Sequence, residues 1–297
     1  MIHDLKDKTV FITGGTGSFG QGFIKMLLDE TDVYMVRNYS RDEHKQKELI
    51  EKFGRDRFST YIGDIRDKDR LKRTLENVDW VVHAAALKTA PLSEIEGYEF
   101  VKTNINGTIN VIEACIDLDI DRVLFISSDK AVEPLNLYGA TKMVAEKLFI
   151  QANTLKGLHK TKFSFVRYGN VMPARGTIIP KFLALKSNEK VPITNINATR
   201  FWITLEDANK FVLSCLIDMT GGETYIPVLK SVRIVDVAKA VCPNKEIEII
   251  GNRQGDKLHE VLSLEPRYSS DINDFLTIEE IRNYVYDKQP KTIRTVA

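Results

Sequence analysis

Cysteine is scarce in this chain of 297 residues: Cys115, Cys215 and Cys242 are the only three, odd in number and far apart. That pattern excludes a disulfide framework and a paired-cysteine zinc site, and makes a reducing, cytoplasmic setting the expectation. Histidine is nearly as scarce, with five residues and none at metal-ligand spacing, so no metal is expected. His83 falls inside an apolar run and reads as a satisfied core group. His259, in the segment KLHE, reads as a residue holding a helix there. Charge of one sign is also missing. The 42 Lys+Arg and 41 Asp+Glu leave a formal net charge of +1, against a basic footprint for nucleic acid. Long hydrophobic runs are absent: stretches such as 81–87 fall far short of the about 20 residues that span a bilayer. The opening MIHDLKDK is too charged for a signal peptide, so neither a membrane nor a nucleic-acid partner is expected.

What is present is enough apolar residue, 43% of the chain, for a sizeable core in one large or two modest domains. Short apolar runs alternate with amphipathic segments through the first half. Strands are predicted at 9–13, from 33–36 onward with an unusually polar end at Arg37 and Asn38, and at 58–62, 79–84, 122–127 and 163–167. Helices are predicted at 18–29, 41–53, 68–75, 91–118 as one long stretch, and 137–153. This rhythm predicts an α/β fold with a doubly wound parallel sheet, whose ligands bind beyond the carboxyl ends of the strands. The rhythm fades after about residue 169. The expected organisation is therefore a Rossmann-type domain over 1–170 and a smaller domain over 171–297 covering the ligand edge, with some of its segments returning to the sheet. The polar tail after Asp271 is expected to be partly disordered.

The segment TGGTGSFG places Gly14, Gly17 and Gly20 between an apolar strand and an amphipathic helix. That context makes it a dinucleotide cradle: a tight turn, close approach to a pyrophosphate, and a helix N-terminus for its charge. Thr16, Ser18 and Phe19 belong to the same loop. At the end of the second strand, where a carboxylate would hold the ribose of NAD, the chain has Ser40 and Arg41, with Lys45 one turn further. A hydroxyl and two cations suit a 2′-phosphate, so the expected cofactor is NADP. Asp64 and Ile65, after the third strand, are placed to hold the adenine edge.

Tyr-x-x-x-Lys puts a phenol and an ammonium on one helix face, where the cation favours the tyrosinate. The pattern occurs at Tyr98/Lys102, Tyr138/Lys142 and Tyr284/Lys288. Only Tyr138/Lys142 opens a helix shortly after the fifth strand, on the cofactor side. The turn between them carries Ser128, Asp129 and Lys130, more acid–base equipment than simple alcohol oxidation needs.

With these segments together, the chain resembles the extended short-chain dehydrogenase/reductases, and among them the 5-inverting UDP-N-acetylglucosamine 4,6-dehydratases. The resemblance is carried by TGGTGSFG, YSRDEHKQ, GDIRD, HAAALK, KTNINGT, SSDKAVEPLNLYGATK, VRYGNV, TRFWIT and GNRQGDKLHE, in family order along nearly the whole chain. Lys130, where dehydratases of sugars lacking the N-acetyl group carry Glu, points to the N-acetylglucosamine branch. The resemblance implies a hydro-lyase with tightly bound, recycled NADP. Tyr138 with Lys142 would deprotonate the sugar 4-hydroxyl, held by Ser128. Lys130 would remove the C5 proton, provided burial or positive neighbours lower its pKa. Asp129 would protonate the departing 6-hydroxyl. The product would be UDP-2-acetamido-2,6-dideoxy-β-L-arabino-hexos-4-ulose, a precursor for amino-deoxysugar and surface polysaccharide biosynthesis. The resemblance further places Ala84 and Lys88 against the cofactor, Tyr138 and Lys142 also touching it. It places Lys88, Asn170, Arg200 and Arg253 on the sugar nucleotide, with Thr194 and Asp256 as weaker candidates, and implies a homo-oligomer. The chain departs from the family pattern at Thr89, Met172-Pro173-Ala174, Gln254 and Asp256. The alternatives are a sugar-nucleotide 4-epimerase, a C5-retaining 4,6-dehydratase, and a non-catalytic NADP-binding redox sensor.

Overall fold

All five side chains of the first strand, β1 (Thr9–Thr13), are buried, as a strand covered by helices on both faces requires. The computed structural model describes residues 5–172 and 177–286. From β1 the chain runs through α1 (Ser18–Glu30), β2 (Met35–Ser40), α2 (Glu43–Phe53), β3 (Phe58–Ile62), α3 (Lys68–Thr74) and β4 (Trp80–His83). Two one-turn helices follow, α4 (Ala90–Ser93) and α5 (Gly97–Phe100), then a π-helical stretch at Val101–Asn106 and α6 (Gly107–Asp117). β5 (Arg122–Ile126), a tight turn at Asp129–Ala131, α7 (Leu137–Leu155) and β6 (Lys162–Val166) complete the alternating half. The second half contains β7 (Asn170–Val171), α8 (Ile178–Leu183), β8 (Val191–Ile193), β9 (Thr199–Ile203), α9 (Leu205–Asp218) and β10 (Thr224–Tyr225). It ends with β11 (Lys230–Arg233), α10 (Ile234–Val241), β12 (Ile247–Ile249), β13 (Val261–Leu264), β14 (Arg267–Ser269) and α11 (Ile278–Tyr286).

Seven strands form one parallel sheet in the order β3-β2-β1-β4-β5-β6-β10. The strand order reverses between β1 and β4, which opens a crevice at their carboxyl ends. One apolar cluster, including Phe23, Leu27, Val82 and Leu216, packs one face of the sheet. A second, including Phe11, Phe125 and Phe149, packs the other. A third, around Phe182, Trp202, Val237 and Ile281, is the core of the second lobe.

The structure adds to the sequence reading at some places and departs from it at others. The second half supplies the edge strand β10, and α9 packs against α1 with Ala208, Val212 and Leu216 buried. The polar end of β2 is satisfied from outside: Arg37 donates to the carbonyls of Thr74 at 3.3 Å and Glu76 at 2.7 Å. The long helix expected over 91–118 is broken into α4, α5, a π-helical stretch and α6. The tail after Asp271 is ordered through Tyr286: α11 buries Ile281, and the Tyr286 hydroxyl donates to the Val241 carbonyl. KLHE is not helical; His259 instead pairs its Nδ1 with the Thr199 hydroxyl at 2.8 Å. No helix among the described residues is long and apolar enough to cross a membrane.

His83, fully buried at the end of β4, shows how closely the sheet is wired. The Thr13 hydroxyl accepts from the Ala84 and Ala85 N–H groups, so its own proton goes to His83 Nδ1 at 2.8 Å. The Thr108 hydroxyl donates to the Asn104 carbonyl, so it accepts from His83 Nε2 at 3.1 Å. The ring is thus a neutral Nε2–H tautomer, and a second proton would have no acceptor. Burial, reinforced by the Lys142 charge, pushes its pKa from 6.5 down to about 3. Below the unfolded value the unfolded chain binds one proton that the fold excludes. This group should therefore cost up to about 1.4 kcal/mol of stability per pH unit as pH falls through that window. Urea unfolding of the native chain and of His83→Gln between pH 7 and 5 should show the steeper acid loss in the native chain; equal slopes would contradict the assignment.

Candidate active site

The crevice at the carboxyl ends of the strands is a cleft of about 1100 Å³. Gly14, Thr16, Gly17, Ser18, Phe19 and Gly20 line it, with Ser40, Arg41 and Lys45 from the end of β2 onward. Asp64 and Ile65 after β3, and Ala84 and Lys88 after β4, line it too. So do Ser128, Asp129, Lys130, Tyr138, Lys142, Asn170, Arg253 and Asp256. Arg200 lines a smaller annex of about 150 Å³, shared with Lys130, Asn170 and Asp256. Thr194 lines neither. It follows β8, whose partner is β12 in a two-stranded ribbon of the second lobe, and that pairing leaves it away from the cleft. Of the other tyrosine–lysine pairs, Tyr98 is exposed and Lys102 is paired with Glu99. Tyr284 packs on Trp202 with ring centroids 5.9 Å apart, while Lys288 lies outside the described residues. Pro173 and Ala174 also lie outside them; Met172 is fully buried.

The glycine loop has the form of a phosphate cradle. Gly14 has φ +75°, and a Cβ there would stand 2.9 Å from the backbone of Ala85. Only glycine allows both the turn and that approach. No side-chain hydrogen bond caps α1 at Gly17 and its first turn carries no acid. Its leading N–H groups and positive dipole end are therefore left to an anion. The residues present fit a dinucleotide. Beyond the loop, Arg41 stands 3.8 Å from Asp64 and Lys45 stands 2.6 Å from Asp42. The buried Ser40 hydroxyl accepts from Gln46 at 3.0 Å and Asn38 at 3.2 Å. Burial pushes the Asp64 carboxyl up, but its hydrogen bonds from Arg66, with the Arg41 charge, bring it below the usual range.

The π-helical stretch has a use here. It turns Asn104 inward, where its amide pairs with both the N–H and carbonyl of Leu87 at 2.8 and 2.9 Å and donates to Thr141 at 3.0 Å. It thereby ties the loop carrying Lys88 to the helix carrying Tyr138 and Lys142. The start of α7 is pressed onto the turn of Asp129 and Lys130: a Cβ at Gly139 would collide with the Lys130 carbonyl. Asn136 caps the helix through Gly139 N–H at 2.9 Å and donates to the Gly255 carbonyl at 3.0 Å, joining both lobes.

Asp129 has no exposed surface. Lys130 Nζ lies 2.9 and 3.1 Å from its two oxygens and 2.7 Å from Asn170 Oδ1. A second buried carboxylate, Glu260, comes within 3.2 Å of the same Nζ. Burial, strengthened by the Glu260 charge and opposed by Lys130, raises the Asp129 pKa. Burial would lower that of Lys130, but attraction to Asp129 and Glu260 outweighs it and the net shift is upward. This corrects the condition set for Lys130 from sequence: two carboxylates make its resting form the ammonium. Burial raises the Tyr138 pKa, against the Lys130 charge and a hydrogen bond with Ser128. Lys142 donates to the Ile126 carbonyl at 2.6 Å and sits 3.9 Å from the Phe125 ring centroid. Burial, partly offset by Glu146, brings its pKa down to about 7. The guanidinium of Arg200 is committed to the carbonyls of Thr199, Lys257 and Leu258, so it clamps that segment. Sequence reading missed Asn104 and Glu260, although both lie in segments it singled out, KTNINGT and GNRQGDKLHE.

Residues 10–280 match the family described as polysaccharide biosynthesis protein. The chain is 47% identical over 257 residues to a Campylobacter jejuni protein named UDP-N-acetylglucosamine 4,6-dehydratase (inverting), covering 86% of this chain and 77% of that one. It is 36% identical over 282 residues to a Rickettsia massiliae protein named UDP-glucose 4-epimerase, covering 92% and 83%. Among solved structures, Pen from Bacillus thuringiensis is 35% identical with a TM-score of 0.91, over 97% of this chain and 99% of that one. With a parallel sheet, a glycine cradle and a Tyr138/Lys142 helix at the same cleft, the chain belongs to the polysaccharide biosynthesis protein family, on the extended short-chain dehydrogenase/reductase fold.

Proposed function

We propose that this protein is an NADP-dependent UDP-N-acetylglucosamine 4,6-dehydratase that inverts C5. The observation that carries the reading is the pairing of the fully buried Asp129 with the part-buried Lys130, 2.9 Å apart and sharing a cleft with Tyr138. A 4-epimerase needs the tyrosine but has no water to expel. The Campylobacter relative's name supports the same choice.

In this reading Ser128 holds the sugar 4-hydroxyl and Tyr138 accepts its proton as the tyrosinate, a form that the Lys130 charge favours against burial. When bound, a nicotinamide dinucleotide supplies reversible hydride acceptance, from C4 and back to C6. The 4-ketone makes the C5 proton acidic. Asp129 and Lys130 hold one mobile proton between them. Moving it from Nζ to the carboxylate leaves an amine and a carboxylic acid, and burial of Asp129 favours that neutral form. Lys130 then takes the C5 proton while Asp129 gives its own to the departing 6-hydroxyl. The pair ends as ammonium and carboxylate, and one water leaves. Return of a proton to C5 from the opposite face inverts that centre. Lys88, Asn170, Arg253 and Asp256 line the cleft beside this centre and are the proposed sugar-nucleotide contacts. The product would feed amino-deoxysugar assembly in the cytoplasm. Exposed Leu92, Ile95 and Tyr98, close together along α4 and α5, support self-association of the chain.

Proton NMR of the purified protein with UDP-N-acetylglucosamine in D₂O should show a C6 methyl, deuterium at C5 and L-arabino couplings. A D-xylo product would keep the dehydratase and reject inversion, and a galacto product without a methyl would favour the epimerase. For the cofactor, Arg41→Ala should weaken NADP by about 10-fold or more, the worth of one charged hydrogen bond, and leave NAD nearly unchanged. Equal loss of both would contradict the 2′-phosphate reading.

A further inference from the structure

Glu260 enters the site from the second lobe, at the start of β13, and is 2% exposed. Its Oε1 lies 3.2 Å from Lys130 Nζ and 3.7 Å from Arg200 Nε. Its Oε2 is 3.6 Å from Lys257 Nζ and has no hydrogen-bond partner among the described residues. A buried carboxylate so poorly hydrogen-bonded is costly unless charge holds it. Three cations do so, two of them anchored in turn. Arg200 is fixed by three backbone carbonyls, and Lys257 by those of Asp129 at 3.4 Å and Val132. The Glu260 N–H donates to the Ser270 hydroxyl at 2.9 Å, so the backbone is fixed as well.

The arrangement around Lys130 gives the acid a purpose. An ammonium has three N–H groups, and here they face Asp129, Asn170 and Glu260. When one proton passes to Asp129, the other two remain held by Asn170 and Glu260. The lone pair of the amine is then left in the one direction that Asn170 and Glu260 do not occupy, beside Asp129 and toward the cleft. Resting on the dehydratase reading above, we propose that Glu260 is a positioning residue for Lys130: it aims the amine and stabilises the ammonium formed as Lys130 takes the C5 proton. The logic is that of the acid behind the histidine of a hydrolase triad, which orients the base and stabilises its protonated form. The charged groups acting on Lys130 are Asp129 on its own turn, Glu260 from β13 and Arg200 from β9. C4 oxidation depends on Tyr138, which Glu260 reaches only through its charge and not by contact, so the two half-reactions should separate.

The test uses the cofactor-loaded enzyme with UDP-N-acetylglucosamine and compares the native chain, Glu260→Gln and Glu260→Asp. C6 methyl formation is followed by NMR, and C4 oxidation by the near-ultraviolet absorbance of reduced nicotinamide. In Glu260→Gln, water loss should slow on the order of 10²-fold, the scale of a general base impaired, with KM nearly unchanged. Reduced nicotinamide should accumulate because oxidation outruns elimination. Glu260→Asp, which keeps the charge, should recover part of the rate, and its split decides the matter if the glutamine variant does not fold. Elimination at the native rate in Glu260→Gln would overturn the proposal. Equal loss of both half-reactions in both variants would also overturn it, making the residue a structural support. If the native chain itself yields no methyl product, the dehydratase reading fails instead, a separate outcome.

Discussion

The site depends on a part-buried ammonium and a fully buried carboxylate held within 2.9 Å of each other. Charges taken from water cost several kcal/mol each unless geometry and further partners compensate, so such a pair persists only where the surroundings hold it from every side. Here they do. The first lobe contributes the turn after β5, with Ser128 donating to Asp129 at 2.8 Å. The start of the second half adds Asn170, and β13 adds Glu260. Lys257 closes the assembly by reaching the carbonyls of Asp129 and Val132 across the lobe boundary. The second lobe thus helps to hold the Asp129–Lys130 pair in place.

The same economy governs Tyr138 and Lys142. α7 can begin beside the catalytic turn because Gly139 has no side chain to meet the Lys130 carbonyl. Deeper in, Lys142 is held against the Phe125 ring and the last carbonyl of β5. Its burial brings its pKa down to about 7, so small electrostatic changes at the cleft alter its charge. Asn104, turned inward by the π-helical stretch, links this helix to the loop of Lys88. Irregular helix at a functional site is a recurring device, and here it delivers a buried amide where a regular helix would not.

Local signals carried much of this. The apolar runs of the first half mark six strands of the seven-stranded sheet, because its central strands, buried on both faces, are largely apolar. The glycine spacing marks the cradle, since Gly14 adopts a φ that other residues resist. Context separates Tyr138 from Tyr98 and Tyr284, as only the first lies just beyond a central strand. What the sequence hides is set by distant contacts. β10 is two residues long and gains its place only by pairing with β6. The break between α4 and α6 follows from packing around Asn104 and not from propensity. Glu260 lies 130 positions from Lys130, and nothing in KLHE tells a buried acid from an exposed one. The expected lowering of the Lys130 pKa fails for the same reason: sequence shows Asp129 beside it but not the second carboxylate.

The central claim is that one cleft oxidises C4 and expels water across C5 and C6, with the hydrogen from C4 kept inside the protein until it is returned. UDP-N-acetylglucosamine carrying deuterium at C4 tests this directly. Mass and NMR analysis of single-turnover product should find the label in the C6 methyl group of a keto sugar. Label restored to C4 of a mixture of gluco and galacto sugars would contradict the account, and label lost to water would show that the two steps do not share one hydride.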